Sequence, residues 1–205
     1  MRVGVGLGGL HPSCDPGKAK PNMPRAQRPH SPEAELAALS ACTDDLGAGS
    51  VLSAELAEFC QSGVSVIIAV GGRGNVPLSG QGCACRVLED GRMRILLLRR
   101  SNDAIIAAAD QDAPIAVTFS QPLTHRSIQI KGINPATGEP TLSDRQAAVE
   151  QSAGLEQELR DVDYARRFTE AYCAVDVDDL VALDFDPVAA FVQTPGPGAG
   201  AELRK

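Results

Sequence analysis

The sequence predicts a single mostly β domain of about six strands with helices at its flanks. Between residues 64 and 132, short runs rich in Val, Ile and Leu alternate with glycine-containing turns, a spacing typical of antiparallel hairpins. Before and after that region, helix-capping residues are followed by apolar residues at helical spacing, a pattern typical of amphipathic helices. The length of 205 residues suits one domain, two at most.

Composition excludes several functional classes. The chain has 26 acidic and 19 basic residues and a formal charge of −7, so nucleic acid and anionic membranes, which need a positive face, are not expected as partners. No apolar run approaches the roughly 18 residues that span a bilayer. The six cysteines have no zinc-site spacing, and neither a convincing export signal nor an acid–base cluster is present. We therefore expect a cytoplasmic protein with free thiols, no metal and no catalytic side chain.

Residues 1–30 differ in charge from the remainder of the chain. They hold five basic residues against Asp15 alone, a net +4. Such a segment is either an interaction arm or a leader without a function of its own, and we expect the second, with 1–30 disordered. Gly4, Gly6 and Gly9 match the G-x-G-x-x-G of dinucleotide-binding folds, but the prolines that follow prevent the helix that this motif needs.

Local patterns predict the elements in order. Helices are predicted where a capping residue precedes an apolar period: 31–40, 53–63, 101–111, 143–160 and 163–174. Strands are predicted where apolar, often β-branched runs lie between turn residues: 64–70, 76–90, 93–98, 114–120, 124–132 and 180–185, followed by a last apolar piece at 188–193. The INPATGEPT segment, 133–141, is predicted to be a loop. Tyr164, Phe168 and Tyr172 recur at i, i+4 and i+8 of the last helix, a spacing that predicts a core-facing stripe.

Arg126 is a candidate functional residue because of its position in a strand. Even positions put it on one face with Ile128 and Ile130, while the other face carries Gln129 and Lys131. An arginine that begins an apolar row is costly unless an anion or a carboxylate meets it. The alternative is a rim arginine whose aliphatic stem covers the core while its charged head stays in water.

The order of these elements resembles the pyridoxamine 5′-phosphate oxidase-like, FMN-binding split-barrel superfamily. The segments that carry the resemblance are GRGNVPLSGQG, LLLRRSNDAI and THRSIQIKG, and FVQTPGPGAGAEL looks like the tail of a bacterial flavin-binding subfamily. The resemblance is strongest over residues 50–195. It implies an antiparallel six-stranded split β-barrel with peripheral helices, a homodimer, and FMN between the subunits. The domain would cover 31–195, with an irregular tail over 196–205.

The resemblance also implies which residues contact FMN. They are hydroxyl and guanidinium groups on the second strand, after the third strand and at the fifth strand: Ser79, Arg99, Arg100, Ser101, Arg126 and Ser127. Arg99, Arg100 and Ser101 would hold the phosphate, where a helix start adds free N–H groups. Asn102 and Asp103 depart from the family pattern, because they stand where the family has two cations.

Three functions remain open. The first is an FMN-dependent oxidoreductase acting on a small molecule, in which the cofactor carries the chemistry. True pyridoxamine phosphate oxidase activity is not expected, because the family's C-terminal substrate signature is absent. The second is a non-catalytic module that binds flavin, deazaflavin or haem. The third is a split-barrel dimer without a cofactor that serves as an interaction protein.

Overall fold

The computed structural model describes residues 31–41, 51–72, 76–111 and 113–203. Three predictions therefore fall outside the described residues: the disordered basic leader, the link between the first two helices, and the tip of the glycine-rich turn after the first strand. None of the described helices is long and apolar enough to cross a membrane.

The described residues form an antiparallel barrel of six strands with helices around it. The strands are β1 Ser65–Gly71, β2 Pro77–Val87, β3 Met93–Leu98, β4 Ile115–Ser120, β5 Ser127–Gly138 and β6 Leu180–Val192. The helices are α1 Pro32–Ala41, α2 Ala54–Cys60, α3 Arg99–Ala109, α4 Leu142–Asp161 and α5 Arg166–Tyr172. The strand order β1-β2-β3-β6-β5-β4 closes on itself. The predicted six-stranded antiparallel barrel with peripheral helices is confirmed.

The barrel interior is the hydrophobic core, because alternate residues of each strand point inward. Its largest fully buried side chains include Ile68, Ile95, Phe119, Ile128, Ile130, Leu183 and Phe185. From α3, Ile105 and Ala109 join the same cluster, so this helix covers one end of the barrel. The core is aliphatic with two phenylalanines, as a chain without tryptophan requires.

The loop predicted at 133–141 is wrong over most of its length. β5 continues to Gly138 and stays paired with β6, which itself runs unbroken through both of its predicted pieces. The pairing shifts register between Lys131 and Gly132, and again between Ile133 and Ala136. Such bulges let a strand contain a proline, which has no N–H to donate to its neighbour. Turn-forming residues therefore sit within a strand here.

Two predicted helix starts are also wrong. α3 begins at Arg99 without a side-chain cap, two residues before the predicted cap Ser101, and its backbone is non-helical at Asn102, where φ is −131° and ψ is 20°. α4 begins one residue before the predicted 143, because Thr141 is the cap: its Oγ1 accepts from the Asp144 N–H, and Asp144 accepts from the Thr141 N–H. The predicted cap of α2, Ser53, is confirmed.

The predicted aromatic core stripe is the third correction. Tyr164, Phe168 and Tyr172 are exposed, at 52%, 46% and 37%. The residue of α5 that is buried instead is Thr169. The i, i+4 spacing identifies one face of a helix correctly but does not say whether that face meets the core or solvent.

Side-chain hydrogen bonds attach α4 to the outside of β2 and β3. The Gln151 amide accepts from the Cys85 N–H and donates to the Cys85 carbonyl, at 2.9 and 2.8 Å. Asp144, whose side chain has no exposed area, accepts from Arg86 at 2.7 Å and from Arg94 at 2.8 Å. The helix is thus fixed by a buried carboxylate between two guanidinium groups.

Candidate functional site

A row of outward-facing side chains crosses five strands of the barrel. Ser79 pairs with Ala69, Ala69 with Ala116, Ala116 with Lys131, and Lys131 with Ala189. We call these five residues the alanine row. Directly opposed residues of antiparallel strands share a face, and neighbouring strands lie about 4.8 Å apart, so Ser79 and Lys131 are separated by about 14 Å. The row is a strip of small apolar side chains on the outer barrel surface, with a hydroxyl and an ammonium group among them.

An apolar cavity of about 510 Å³ opens on the alanine row. Exposed aliphatic side chains, Ile133 at 46% and Val188 at 48%, stand in its wall. Lys131 also lines it, with Nζ 4.3 Å from the centroid of the Phe191 ring. No carboxylate among the described residues forms an ion pair with Lys131. An apolar recess with one uncompensated cation can bind a flat ligand that carries a negative group.

A second outward row lies next to the first. It consists of Gln81, Ile67, Thr118, Gln129 and Phe191, each paired with the next; we call it the amide row. The Gln129 amide donates to Thr118 Oγ1 at 3.3 Å. Ile67 is 41% exposed. The amide row therefore provides hydrogen-bond donors and acceptors at one edge of the alanine row.

The start of α3, where the phosphate was expected, already contains a carboxylate. The Arg100 N–H donates to Asp179 Oδ2 at 3.3 Å, and the Arg99 N–H donates to the Asp179 carbonyl at 2.9 Å. The Arg100 guanidinium lies 3.4 Å from Asp176 and 3.5 Å from Asp179. Arg99 is half-exposed, with Glu139 at 4.0 Å. The charge of Arg99 is therefore less well neutralised by nearby carboxylates than the charge of Arg100.

Asn102 points into the protein, whereas its neighbour Ser101 is exposed. Asn102 Nδ2 donates to the carbonyls of Leu98 and Gln81, at 2.8 and 3.3 Å. Its Oδ1 is buried without a hydrogen-bond partner among the described residues and lies against Gly80, where any Cβ would overlap it. The hydrogen bonds of Asn102 therefore connect α3 to β2, and its side chain does not face a ligand.

Arg126 is neutralised by two carboxylates of its own chain. Glu35 accepts from Arg126 Nε and Nη2 at 2.7 and 2.6 Å, and Glu55 accepts from Nη1 at 2.6 Å. The guanidinium carbon lies 4.1 Å from the centroid of the Phe59 ring. Burial lowers the pKa of Arg126, but the hydrogen bonds to Glu35 and Glu55 raise it by more. The expected partner of a partly buried Arg126 is thus present, as carboxylates.

Ser127 is buried and bonded on both sides. Its Oγ lies 2.7 Å from Ser120 Oγ, and its N–H donates to Thr194 Oγ1 at 2.9 Å. Thr194 belongs to the segment after β6, which folds back over the start of β5. The Ser127 hydroxyl is therefore part of the packing of this barrel end.

The structure separates the predicted FMN contacts into two groups. Leu98, just before α3, pairs with Leu180 at the start of β6, whereas Ile128 pairs with Val192 at its end. Those two ends are about 40 Å apart along the strand. Ser79, Arg99, Arg100 and Ser101 lie on β2 or at the α3 start, and Arg126 and Ser127 lie at the β6 end. One chain does not bring all six together.

Sequence reasoning missed Lys131 and the amide row as candidate site residues. The alternation along β5 already placed Gln129 and Lys131 on the face opposite Ile128 and Ile130. What the sequence does not contain is the pairing register, which sets Lys131 beside Ala116 and Gln129 beside Thr118. The site is made by neighbours across strands, not along one.

The cysteines do not add a reactive group to this site. Those among the described residues are free, and no group of three or more His, Cys, Asp or Glu residues there could hold a metal ion. Cys83 lines a narrow cavity of about 70 Å³ beside α3, together with Ser101 and Tyr172. Burial raises the pKa of the Cys83 thiol to about 11, so this thiol is protonated at neutral pH.

Comparisons with known proteins find similarity in solved structures only. No family model matches the chain, and no curated protein matches it. Among similar solved structures is general stress protein 26 from Bacillus anthracis str. Sterne, at 13% identity and a TM-score of 0.39, covering 66% of this chain and 88% of that one. A Clostridium acetobutylicum protein related to general stress protein 26, described as pyridoxinephosphate oxidase family, has 13% identity and a TM-score of 0.37, covering 64% and 80%. An F420 reductase has 12% identity and a TM-score of 0.37, covering 65% and 93%.

These similarities describe the path of the backbone only. At this level of identity the likeness carries no ligand, reaction or residue role to this chain.

Proposed function

We propose that this chain is a cytoplasmic flavoprotein that binds FMN at a homodimer interface and acts as an oxidoreductase on a small molecule. The observation that carries the proposal is the apolar cavity on the alanine row, in which Ala69 and Ala116 lie beside the Lys131 ammonium group. The tricyclic ring of FMN is flat and largely apolar, and its pyrimidine edge is polar. The cavity suits the ring faces, and the adjacent amide row suits the polar edge.

The residues present fit the ring better than they fit the phosphate group. Lys131 and Arg99 are cations whose charge the described carboxylates leave largely uncompensated, so we assign the phosphate to one or both. Arg100 and Arg126 were also expected to contact FMN, but each would first have to leave carboxylates of its own chain. The Ser127 hydroxyl already forms a hydrogen bond with the Ser120 hydroxyl.

A second copy of the chain completes the site in this proposal. The cavity on the alanine row is open to solvent, so one copy alone leaves a face of the ring in water. Ile67, Ile133 and Val188 are exposed aliphatic residues on or beside the two rows, and a patch of this kind favours association. A two-fold axis through the patch would bury these side chains on both copies and cover the ring.

When bound, FMN supplies the electron-transfer chemistry. The chain's own part is to hold the ring on the alanine row, to hydrogen-bond its polar edge through Gln81 and Gln129, and to exclude water. The substrate then reaches the site from the side that neither copy covers.

The carboxylates beside Arg100 and Arg126 favour a second candidate function. A phosphate would compete with Asp179 at α3 and with Glu35 at β5. Because these ion pairs occupy two of the cations expected to contact FMN, the second candidate is a split-barrel interaction protein without a cofactor, or a non-catalytic module for flavin, deazaflavin or haem. The two functions differ in whether purified protein binds FMN and whether the bound flavin turns over.

A titration of the purified protein with FMN tests the proposal, with quenching of the flavin fluorescence as the measure of binding. Lys131→Ala should weaken FMN about tenfold, the loss expected for one charge-assisted contact. The matched control is Arg167→Ala, which removes an exposed cation from α5. Equal losses in both variants would remove Lys131 from the site. No saturable binding by the unaltered protein would reject the flavoprotein proposal, and parallel titrations with deazaflavin and haem separate the alternatives.

Turnover is tested on the FMN-loaded protein under anaerobic conditions. The proposal predicts that NAD(P)H, or dithionite as a chemical reductant, bleaches the flavin and that air restores its colour. Flavin that is reduced by dithionite but by no biological donor would favour the non-catalytic module.

A further inference from the structure

A second cavity lies beside the one on the alanine row, between α3 and the hairpin that joins β1 to β2. It has a volume of about 540 Å³, and we call it the α3 cavity. Gly71 lines both cavities, and Ala113 and Pro114, which are adjacent in sequence, line one each. The Gly71 N–H donates to the Pro114 carbonyl at 3.3 Å. The two cavities therefore meet at this hydrogen-bonded pair of backbone segments.

Small side chains on α3 leave the α3 cavity open. Ala104, Ala107 and Ala108, at i, i+3 and i+4 of the helix, line it from one side, and Val76 and Leu78 line it from the hairpin. A helix face that packs against an apolar hairpin ordinarily carries larger side chains, which would fill a space of this size. Val76 is 60% exposed. An apolar surface on each side thus faces unfilled volume.

The lining of the α3 cavity indicates an uncharged ligand. None of the described residues that line it is charged, and Gln111 is the one among them with a polar side chain. Gln111 Nε2 donates to the Ala107 carbonyl at 3.0 Å, which leaves Oε1 as an acceptor without a hydrogen bond to any described residue. A charged group would lose its hydration here without gaining an opposite charge. The cavity on the alanine row differs, because Lys131 lines it.

We propose that the α3 cavity binds an uncharged, largely apolar molecule that donates one hydrogen bond to Gln111 Oε1. Its volume lies within the range of about 300–1,000 Å³ that is typical of small-molecule sites. With FMN on the alanine row, the occupant of the α3 cavity adjoins the flavin at Gly71. It is then the class of small molecule on which the oxidoreductase acts, and this second step rests on the proposed function.

Two fluorescent probes with the same ring skeleton test the ligand class. N-phenyl-1-naphthylamine is uncharged and has one N–H donor, and 8-anilinonaphthalene-1-sulfonate adds a sulfonate to that skeleton. Both become brighter in apolar surroundings. The full-length protein is titrated with each probe before FMN is added. We expect saturable binding of the uncharged probe in the α3 cavity and no binding of the sulfonate there, because the described lining offers the sulfonate no cation.

Substitutions in the α3 cavity assign the binding. Ala107→Phe puts a ring into the cavity from an exposed position of α3, and it should weaken the uncharged probe at least tenfold while leaving any binding of the sulfonate unchanged. The matched control, Ala153→Phe, makes the same exchange at an exposed position of α4 and should change neither affinity. Gln111→Leu removes the acceptor at nearly constant size and should weaken the uncharged probe about fivefold, the loss expected for one hydrogen bond.

Equal affinity of the unaltered and Ala107→Phe proteins for the uncharged probe would overturn the proposal. Competitive displacement of that probe by FMN would also overturn it, because the two ligands would then share one cavity. Failure of the flavoprotein proposal is distinguishable from both. In that case FMN does not bind, whereas the uncharged probe binds and stays sensitive to Ala107→Phe; this result would support the binding site and overturn the substrate role.

Discussion

The carboxylate of Asp144 fixes α4 to the barrel and should be the most consequential charge for stability. Its side chain has no exposed area and lies 2.7 Å from Arg86 and 2.8 Å from Arg94. It also accepts from the N–H of Thr141, which it caps reciprocally. Asp144→Asn keeps the size of the side chain but removes the charge that pairs with Arg86 and Arg94; Arg94 keeps a second carboxylate, Asp184, at 2.7 Å. We expect this substitution to destabilise the fold.

The magnitude follows from the pKa of Asp144. Burial raises this pKa, but the Thr141 N–H and the two arginines lower it by more, from 3.8 to about 2. At about 1.4 kcal/mol for each tenfold change in proton affinity, the carboxylate contributes about 2 kcal/mol to the free energy of unfolding. A group whose pKa is depressed by folding contributes above its unfolded pKa. The contribution is complete above about pH 4 and is lost as the pH falls towards 2.

Urea unfolding followed by circular dichroism, at several pH values from 7 to 2, measures this contribution. The free energy of unfolding of the unaltered protein should exceed that of Asp144→Asn by about 2 kcal/mol at pH 6, and the two should converge near pH 2. Asp103→Asn, at an exposed carboxylate of α3, is the control and should change little. A difference that stays constant with pH, or no difference at pH 6, would refute the reasoning.

Three further predictions concern packing, an ion pair and a thiol. Gly132→Ala should lower the free energy of unfolding by about 2 kcal/mol in urea melts, because its Cβ would overlap the Phe185 ring; an unchanged midpoint contradicts this. Glu35→Gln should lower the free energy of unfolding by roughly 1–2 kcal/mol, because a neutral amide is a weaker partner for Arg126 than a carboxylate. An unchanged free energy of unfolding at pH 7 would contradict this. Cys83, with a pKa of about 11 against an ordinary 9.0, should react with iodoacetamide at pH 8 about a hundredfold more slowly than a free thiol. Mass spectrometry of the labelled protein checks this, and rapid labelling would contradict it.

The barrel was predictable because its signals are local. The run VSVIIAV reads as a strand by composition, and Asp90-Gly91 reads as a tight turn, in which Gly91 has a φ of +84°. The 133–141 segment was not predictable, because Pro135 and its neighbours are held as a strand by pairing with β6, about fifty residues later. Pairing with a strand that is distant in sequence can override the local turn propensity of a segment, because that strand supplies the backbone hydrogen bonds.

The candidate site was less predictable, for the same physical reason. The strand alternation indicated that Arg126 either meets an anion or a carboxylate or lies at the rim, and its partner Glu35 is 91 residues away in sequence. Whether Tyr164, Phe168 and Tyr172 meet the core depends on which side of α5 packs against the barrel, and the helix period is the same in both cases. The alanine row on which we place FMN exists only through the register of β1 with its neighbours on both sides.

The central claim is that two copies of this barrel hold one flavin ring against the alanine row. The measurement that tests it most directly is gel filtration of the FMN-treated protein, with light scattering for mass and visible absorbance for bound flavin. The account predicts flavin absorbance that elutes with a species of twice the 21.4 kDa chain mass. Protein that elutes colourless, or flavin that elutes with the single chain, would contradict it.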